Sequence, residues 1–168
     1  MRTFFAFDLP TDVKLAIAEW RDQVYSVDAR YVPTANFHIT LQFIGNTSPH
    51  QLEHLMSAEF PFSRFTLRCQ DVGYFSKPKV GFLLVDNHEA IRTATKQCRQ
   101  AAKHSGITIS NDKLTPHITL FRKLKSPLPY PLLPPAFEFT VDSLCLFESV
   151  STATGVKYQP LRSWSAKS

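Results

Sequence analysis

Long hydrophobic runs are missing from this chain of 168 residues. No stretch approaches the roughly 20 apolar residues that a bilayer-crossing helix needs. The N-terminal run FFAF is stopped at once by Asp8 and Pro10, so it reads as a first strand rather than a signal peptide. Cysteine is also scarce. Cys69, Cys98 and Cys145 are an odd number with no close pair, so they read as small core residues in a reduced, cytoplasmic setting. No cysteine has a neighbouring histidine and no nucleophile-elbow pattern occurs, which leaves Cys or Ser nucleophilic chemistry without support. Low-complexity segments are absent. Acidic residues run short: 14 Asp and Glu face 19 Lys and Arg, a net charge of +5. Such a surplus favours a polyanionic partner without requiring one. Hydrophobic residues make up 43% and charged residues 20%, which excludes disorder and allows one sizeable core.

Mixed strands and helices follow one another along the chain. TFFAFDLP reads as a buried strand, and the spacing of Val13, Ala16, Ile17, Trp20 and Val24 predicts a helix over 11–25. FHITLQFI alternates, placing His38, Thr40 and Gln42 on one face and Ile39, Leu41 and Phe43 on the other. Ser48, Pro49 and Gln51 predict a capping box opening a helix that runs to about Phe60. RFTLRCQDVGYF and VGFLLV read as two strands joined by the turn SKPK, and Gly106 sits where a helix should end after Ile91, Ala94, Cys98 and Ala101. TPHITLF is again a strand, with His117, Thr119 and Phe121 on one face. SPLPYPLLPP reads as an extended surface connection. FEFTVDSLCLFES and VKYQPLRSW close the chain as strands turning near Thr154 and Gly155. The order suggests an α+β protein of two similar lobes.

The tetrapeptide HITL occurs twice, at His38–Leu41 and His117–Leu120. In each strand the His and its Thr point the same way, about 7 Å apart by simple rise. Ile and Leu behind them would anchor a rigid platform. Two imidazoles with ordinary pKa near ~6.5, facing one cleft, can divide acid and base work near neutral pH. The threonine hydroxyls can donate to non-bridging oxygens as charge builds. This set suits in-line displacement at a phosphodiester without a metal, above all a strained cyclic phosphate.

MRTFFAFDLP, NFHITLQFIGNTSPHQLEHL and PHITLFR together resemble the 2H phosphoesterase superfamily. Within it they are similar to the bacterial and archaeal RNA 2′,3′-cyclic phosphodiesterases, also called 2′-5′ RNA ligases. The resemblance covers almost the whole chain. It implies one bilobal domain over 1–168, with antiparallel sheets and helices related by a pseudo-twofold and a central groove. It implies opening of RNA 2′,3′-cyclic phosphates to 2′-phosphomonoesters, with reversible 2′-5′ ligation in some members. Carried over to this chain, His38 is the proton donor and His117 the proton acceptor, while Thr40 and Thr119 bind phosphate oxygens. RNA ends, tRNA fragments among them, are the implied substrate; no cofactor, metal or membrane is implied. Nothing in the sequence demands more than a monomer.

Arg122 stands where similar proteins often carry an arginine that contacts substrate. Strict alternation points it away from His117, so it needs a strand end or a bulge to reach the groove. Phe121, on the His117 face, reads equally as a base-stacking or a core aromatic. Lys77, Lys79, Lys123 and Lys125 read as exposed charges that can track phosphates. Two rival readings remain. SPHQLEHL contains His50, Glu53 and His54 in the H-x-x-E-H zinc pattern, on what reads as a solvated helix face. A basic, non-catalytic RNA-binding module is the other, and it leaves the repeated HITL unexplained.

Overall fold

The computed structural model of the chain describes residues 1–167. The apolar run near the N-terminus builds β1 (Arg2–Asp8), in which residues 3–7 are all buried. Pro10 then caps α1 (Thr11–Val24), which buries Ile17, Ala18, Trp20 and Arg21. A two-residue strand, β2 (Arg30–Tyr31), and a 3-10 turn (Thr34–Asn36) lead into β3 (His38–Asn46). α2 (Pro49–Met56) opens on the full capping box: Ser48 Oγ accepts from the Gln51 N–H, and Gln51 Oε1 accepts from the Ser48 N–H. It ends before the expected Phe60, because Ser57 turns its N–H and hydroxyl back onto the His54 carbonyl.

β4 (Phe65–Cys69), β5 (Asp71–Phe75) and β6 (Val80–Leu84) precede α3 (Glu89–His104). Gly106 takes φ +73° just past α3, and its N–H and that of Ile107 close the helix end on Lys103 and Ala102. β7 (His117–Arg122), β8 (Phe137–Val141), β9 (Ser143–Thr152) and β10 (Gly155–Ser165) complete the chain.

Every strand pair is antiparallel. One sheet has the order β10-β9-β1-β3, the other β2-β7-β6-β5, and β4 pairs with β8 alone. Two segments expected as single strands are therefore broken, at Gln70 and at Asp142. In each, one piece joins the β4–β8 ribbon and the other continues into a sheet, a switch of partner that no local composition encodes. The C-terminal hairpin returns to β1, so the first sheet joins both ends of the chain, while β2, which precedes β3, crosses to the second sheet.

The HITL strands sit next to one another, β3 against β7. Ile39 and Leu41 from one, and Ile118 and Leu120 from the other, enter the same buried cluster at 1% exposure or less. Each such side chain stabilises the fold by about 1.5–3 kcal/mol. The three cysteines are buried and free, and burial pushes the Cys69 thiol up to about 12. The proline-rich segment 126–135 forms no regular element; Trp20 Nε1–H and the Tyr25 hydroxyl tie it down at the Leu133 and Pro129 carbonyls. Among the described residues no helix is long and apolar enough to cross a membrane.

Candidate active site

Both motif histidines stand at the first residue of their strands and are half-buried. His38 Nδ1 lies 2.7 Å from the Asn36 carbonyl, and His117 Nδ1 lies 2.7 Å from the Thr115 carbonyl. A carbonyl only accepts, so in both rings Nδ1 carries the proton and Nε2 is left as the working atom. His38 Nε2 sits 2.8 Å from Thr40 Oγ1, while His117 Nε2 has no protein partner among the described residues.

Each ring is also wedged by two aromatics. Phe4 lies tilted at 5.1 Å from His38 and Tyr158 meets it edge-on at 5.0 Å. Phe82 lies tilted at 5.1 Å from His117 and Phe75 meets it edge-on at 5.3 Å. These four were missed by the sequence reading, since they arrive from other strands of the two sheets and nothing in their own segments marks them.

Strict alternation fails at the same place in both strands. Between β1 and β3 the register passes from Ala6–Thr40 to Phe5–Gln42, so Leu41 is the extra residue of a bulge. Between β6 and β7 it passes from Phe82–Thr119 to Gly81–Phe121, so Leu120 is its counterpart. A bulge swaps the faces of every residue beyond it. Gln42, expected beside His38, is buried at 8%, and Phe43, expected in the core, is 65% exposed. Phe121 is fully buried against Tyr25 and Tyr31 and takes no part in the groove. Arg122 is turned to the open side. Adjacent Leu and Phe in HITLF could have flagged this, because a one-sided strand does not bury two neighbours in succession.

The two motifs share a groove of about 220 Å³ lined by Thr40, Gln42, Phe43, Arg99, Lys113 and His117, among others. Burial lowers the His38 pKa to about 4; the Asn36 carbonyl opposes this, and the charges of Arg122 and His117 add to it. Burial also lowers His117, again opposed by its carbonyl partner and aided by Arg122. Arg122 is thus within electrostatic reach of both rings. Thr119 lies on the same strand face as His117, half-buried. Lys77, Lys79, Lys123 and Lys125 are all exposed.

The rival histidines lie elsewhere. His50 and His54 meet at 4.7 Å on the exposed face of α2. Among the described residues no group of three or more His, Cys, Asp or Glu is placed to hold a metal ion.

A family model described as LigT-like phosphoesterase matches residues 7–82, which include the first motif. An Escherichia coli K12 protein named RNA 2′,3′-cyclic phosphodiesterase is 30% identical over 97% of this chain and 95% of its own length. The chain belongs to the LigT-like phosphoesterase family. A Thermotoga maritima relative with the same name is 29% identical over 96% of this chain and 93% of that protein. The crystal structure of E. coli LigT complexed with 3′-AMP has a TM-score of 0.89 at 28% identity, covering 99% of this chain and 98% of that one. The crystal structure of TT0787 of Thermus thermophilus has a TM-score of 0.81 at 25% identity, over 98% and 97% of the two chains. This LigT-like phosphoesterase therefore has the α+β, two-lobed fold expected of it, and its paired His-x-Thr strands stand where the lobes meet.

Proposed function

We propose that this chain opens 2′,3′-cyclic phosphate ends of RNA to 2′-phosphomonoesters, with His38 as acid, His117 as base and no metal. The matched anchoring of the two rings carries this reading. Each Nδ1–H is spent on a backbone carbonyl, which leaves Nε2 as the working atom of both rings, and His117 lines one groove together with Thr40, the partner of His38 Nε2. His117 Nε2 is the open lone pair suited to take a proton from water as its oxygen attacks phosphorus. The P–O3′ bond breaks, and His38 Nε2 delivers a proton to the leaving 3′ oxygen. Thr40, Thr119 and Arg122 meet the non-bridging oxygens as charge builds on them.

The low proton affinity of His38 in the free protein fits this role once substrate is counted. A phosphodiester brings a negative charge beside the ring, which favours the imidazolium and offsets burial. The names carried by its full-length relatives support RNA as the substrate class. tRNA fragments in the cytoplasm are the natural case we favour, and the reverse step would form a 2′-5′ linkage by the same two histidines. The core shared by both sheets supports treating 1–168 as one bilobal unit, and nothing in the site asks for a second copy.

The test is a short RNA ending in a 2′,3′-cyclic phosphate, incubated with the protein in excess EDTA. A 2′-phosphate product, lost in His38→Ala and in His117→Ala, is expected. Turnover that survives both substitutions would overturn the assignment.

A further inference from the structure

Arg21 is a charged residue at 4% exposure on the inner face of α1, outside the groove. Its Nη1 donates to the Val32 carbonyl at 2.7 Å and to the Leu120 carbonyl at 3.2 Å. Its Nε donates to Asp22 at 2.9 Å, and its guanidinium lies within 5.2–5.8 Å of the Tyr31, Phe37 and Phe121 rings. Burying a guanidinium is costly even with such partners, and an apolar residue would fill the same space more cheaply. What an apolar residue cannot do is hold a carbonyl in place.

The carbonyl in question belongs to the bulge. Leu120 is the extra residue of β7, and its oxygen accepts from the Val32 N–H at 3.0 Å as well as from Arg21. Phe121, the next residue, is packed under the same guanidinium, and Arg122 follows it. The bulge at Leu41 has a counterpart brace. Arg99 of α3 donates to Gln42 Oε1 at 2.8 Å, and Gln42 Nε2 donates to the Phe43 carbonyl at 3.0 Å. A helix that follows a strand of the first sheet thus holds the second motif strand, and a helix that follows a strand of the second sheet holds the first.

We infer that Arg21 is a positioning residue: by fixing the Leu120 bulge it aims Arg122 at the phosphate. The inference rests on the proposed role of Arg122. Without the brace the strand can relax toward regular pairing, which returns Arg122 to the face away from His117.

The experiment is a double-substitution cycle on cleavage of a cyclic-phosphate RNA end. Arg122→Ala is expected to lower kcat/KM by about 10²- to 10³-fold, as for loss of one charge-stabilising donor. Arg21→Met is expected to lower it by about 10²-fold by misplacement alone. In the Arg122→Ala background, Arg21→Met should then cost almost nothing more. It should also move the acid limb of the kcat/KM profile to higher pH, as Arg122→Ala does, because both histidines lose a nearby positive charge. A general loss of folded protein would do neither. Urea unfolding of each variant sets the folded fraction, and Arg21→Lys serves in the same cycle if Arg21→Met does not fold. Full additivity of the two losses, or an Arg21 variant with unchanged kcat/KM, would overturn the positioning role. An Arg122→Ala protein with unchanged kcat/KM would overturn that role together with the assignment of Arg122.

Discussion

The two motif strands share a tetrapeptide, a burial pattern over their first six residues, a bulge at the same leucine and the same carbonyl anchor for the histidine. They differ in what surrounds that frame. His38 has its Nε2 engaged by Thr40 and faces Asp8 across the ladder; His117 has an open Nε2 and faces Leu84. Five residues past each histidine the bulge turns a side chain outward, and it is Phe43 in one strand and Arg122 in the other. A symmetric scaffold is thereby given asymmetric chemistry. In the proposed mechanism acid and base must differ, and a pair of identical environments would set both rings to the same task.

Removing either histidine is the strongest way to break the comparison. His38→Ala and His117→Ala should each lower the rate by about 10²- to 10⁴-fold, with circular dichroism unchanged. Nearly equal losses are expected, because one reaction needs both protons moved. An order-of-magnitude assay on cyclic-phosphate RNA decides this.

The pH dependence separates the two rings more finely. Both pKa values lie below the ordinary imidazole value of 6.5 in the free protein, His38 at about 4. The bell of kcat/KM, which reports free-enzyme groups, should therefore be centred on the acid side of 6.5. The bell of kcat should lie at higher pH, because bound phosphate favours the imidazolium. A kcat/KM bell centred above 6.5 would contradict the burial of these rings.

Stability should carry the same mark with a smaller amplitude. The folded pKa of His38 is below its unfolded value, so the unfolded chain binds more protons between about 4 and 6.5. The contribution of the neutral, buried ring is fully present above 6.5 and is lost as pH falls toward 4. Thermal unfolding of the wild type should fall over that window more steeply than that of His38→Asn. Parallel curves would remove His38 as a source of the acid sensitivity.

The least effect is expected where the bulges exchanged two phenylalanines. Phe121→Leu should cost about 1 kcal/mol of stability with little change in kcat/KM. Phe43→Leu, at an exposed site, should stay within about 0.5 kcal/mol. Urea titrations that reversed this order would mean the faces had been assigned wrongly.

Much of this was legible beforehand, and the parts that were not share a cause. The strand, the capped helix and the glycine stop are read from residues within a turn or two of each other, so the Ser48 capping box and Gly106 stood out. A bulge adds one residue of ordinary composition; Leu41 and Leu120 look like any strand leucine. Nothing local marks Arg21, because its carbonyl acceptors lie 11 and 99 residues away. Phe4, Tyr158, Phe75 and Phe82 frame the histidines from strands whose pairing is non-local.

By itself, then, the sequence determined the chemical groups and their local platforms: two His-x-Thr pairs, each backed by Ile and Leu at strand spacing, with two lobes to carry them. Those depend on alternation and on short-range caps, which act over a few residues. The tertiary structure alone decided which way Phe43, Phe121 and Arg122 point, and how deeply the two imidazoles are withdrawn from water. Both depend on register and on packing between distant segments, and one residue's slip in a ladder reverses every face beyond it.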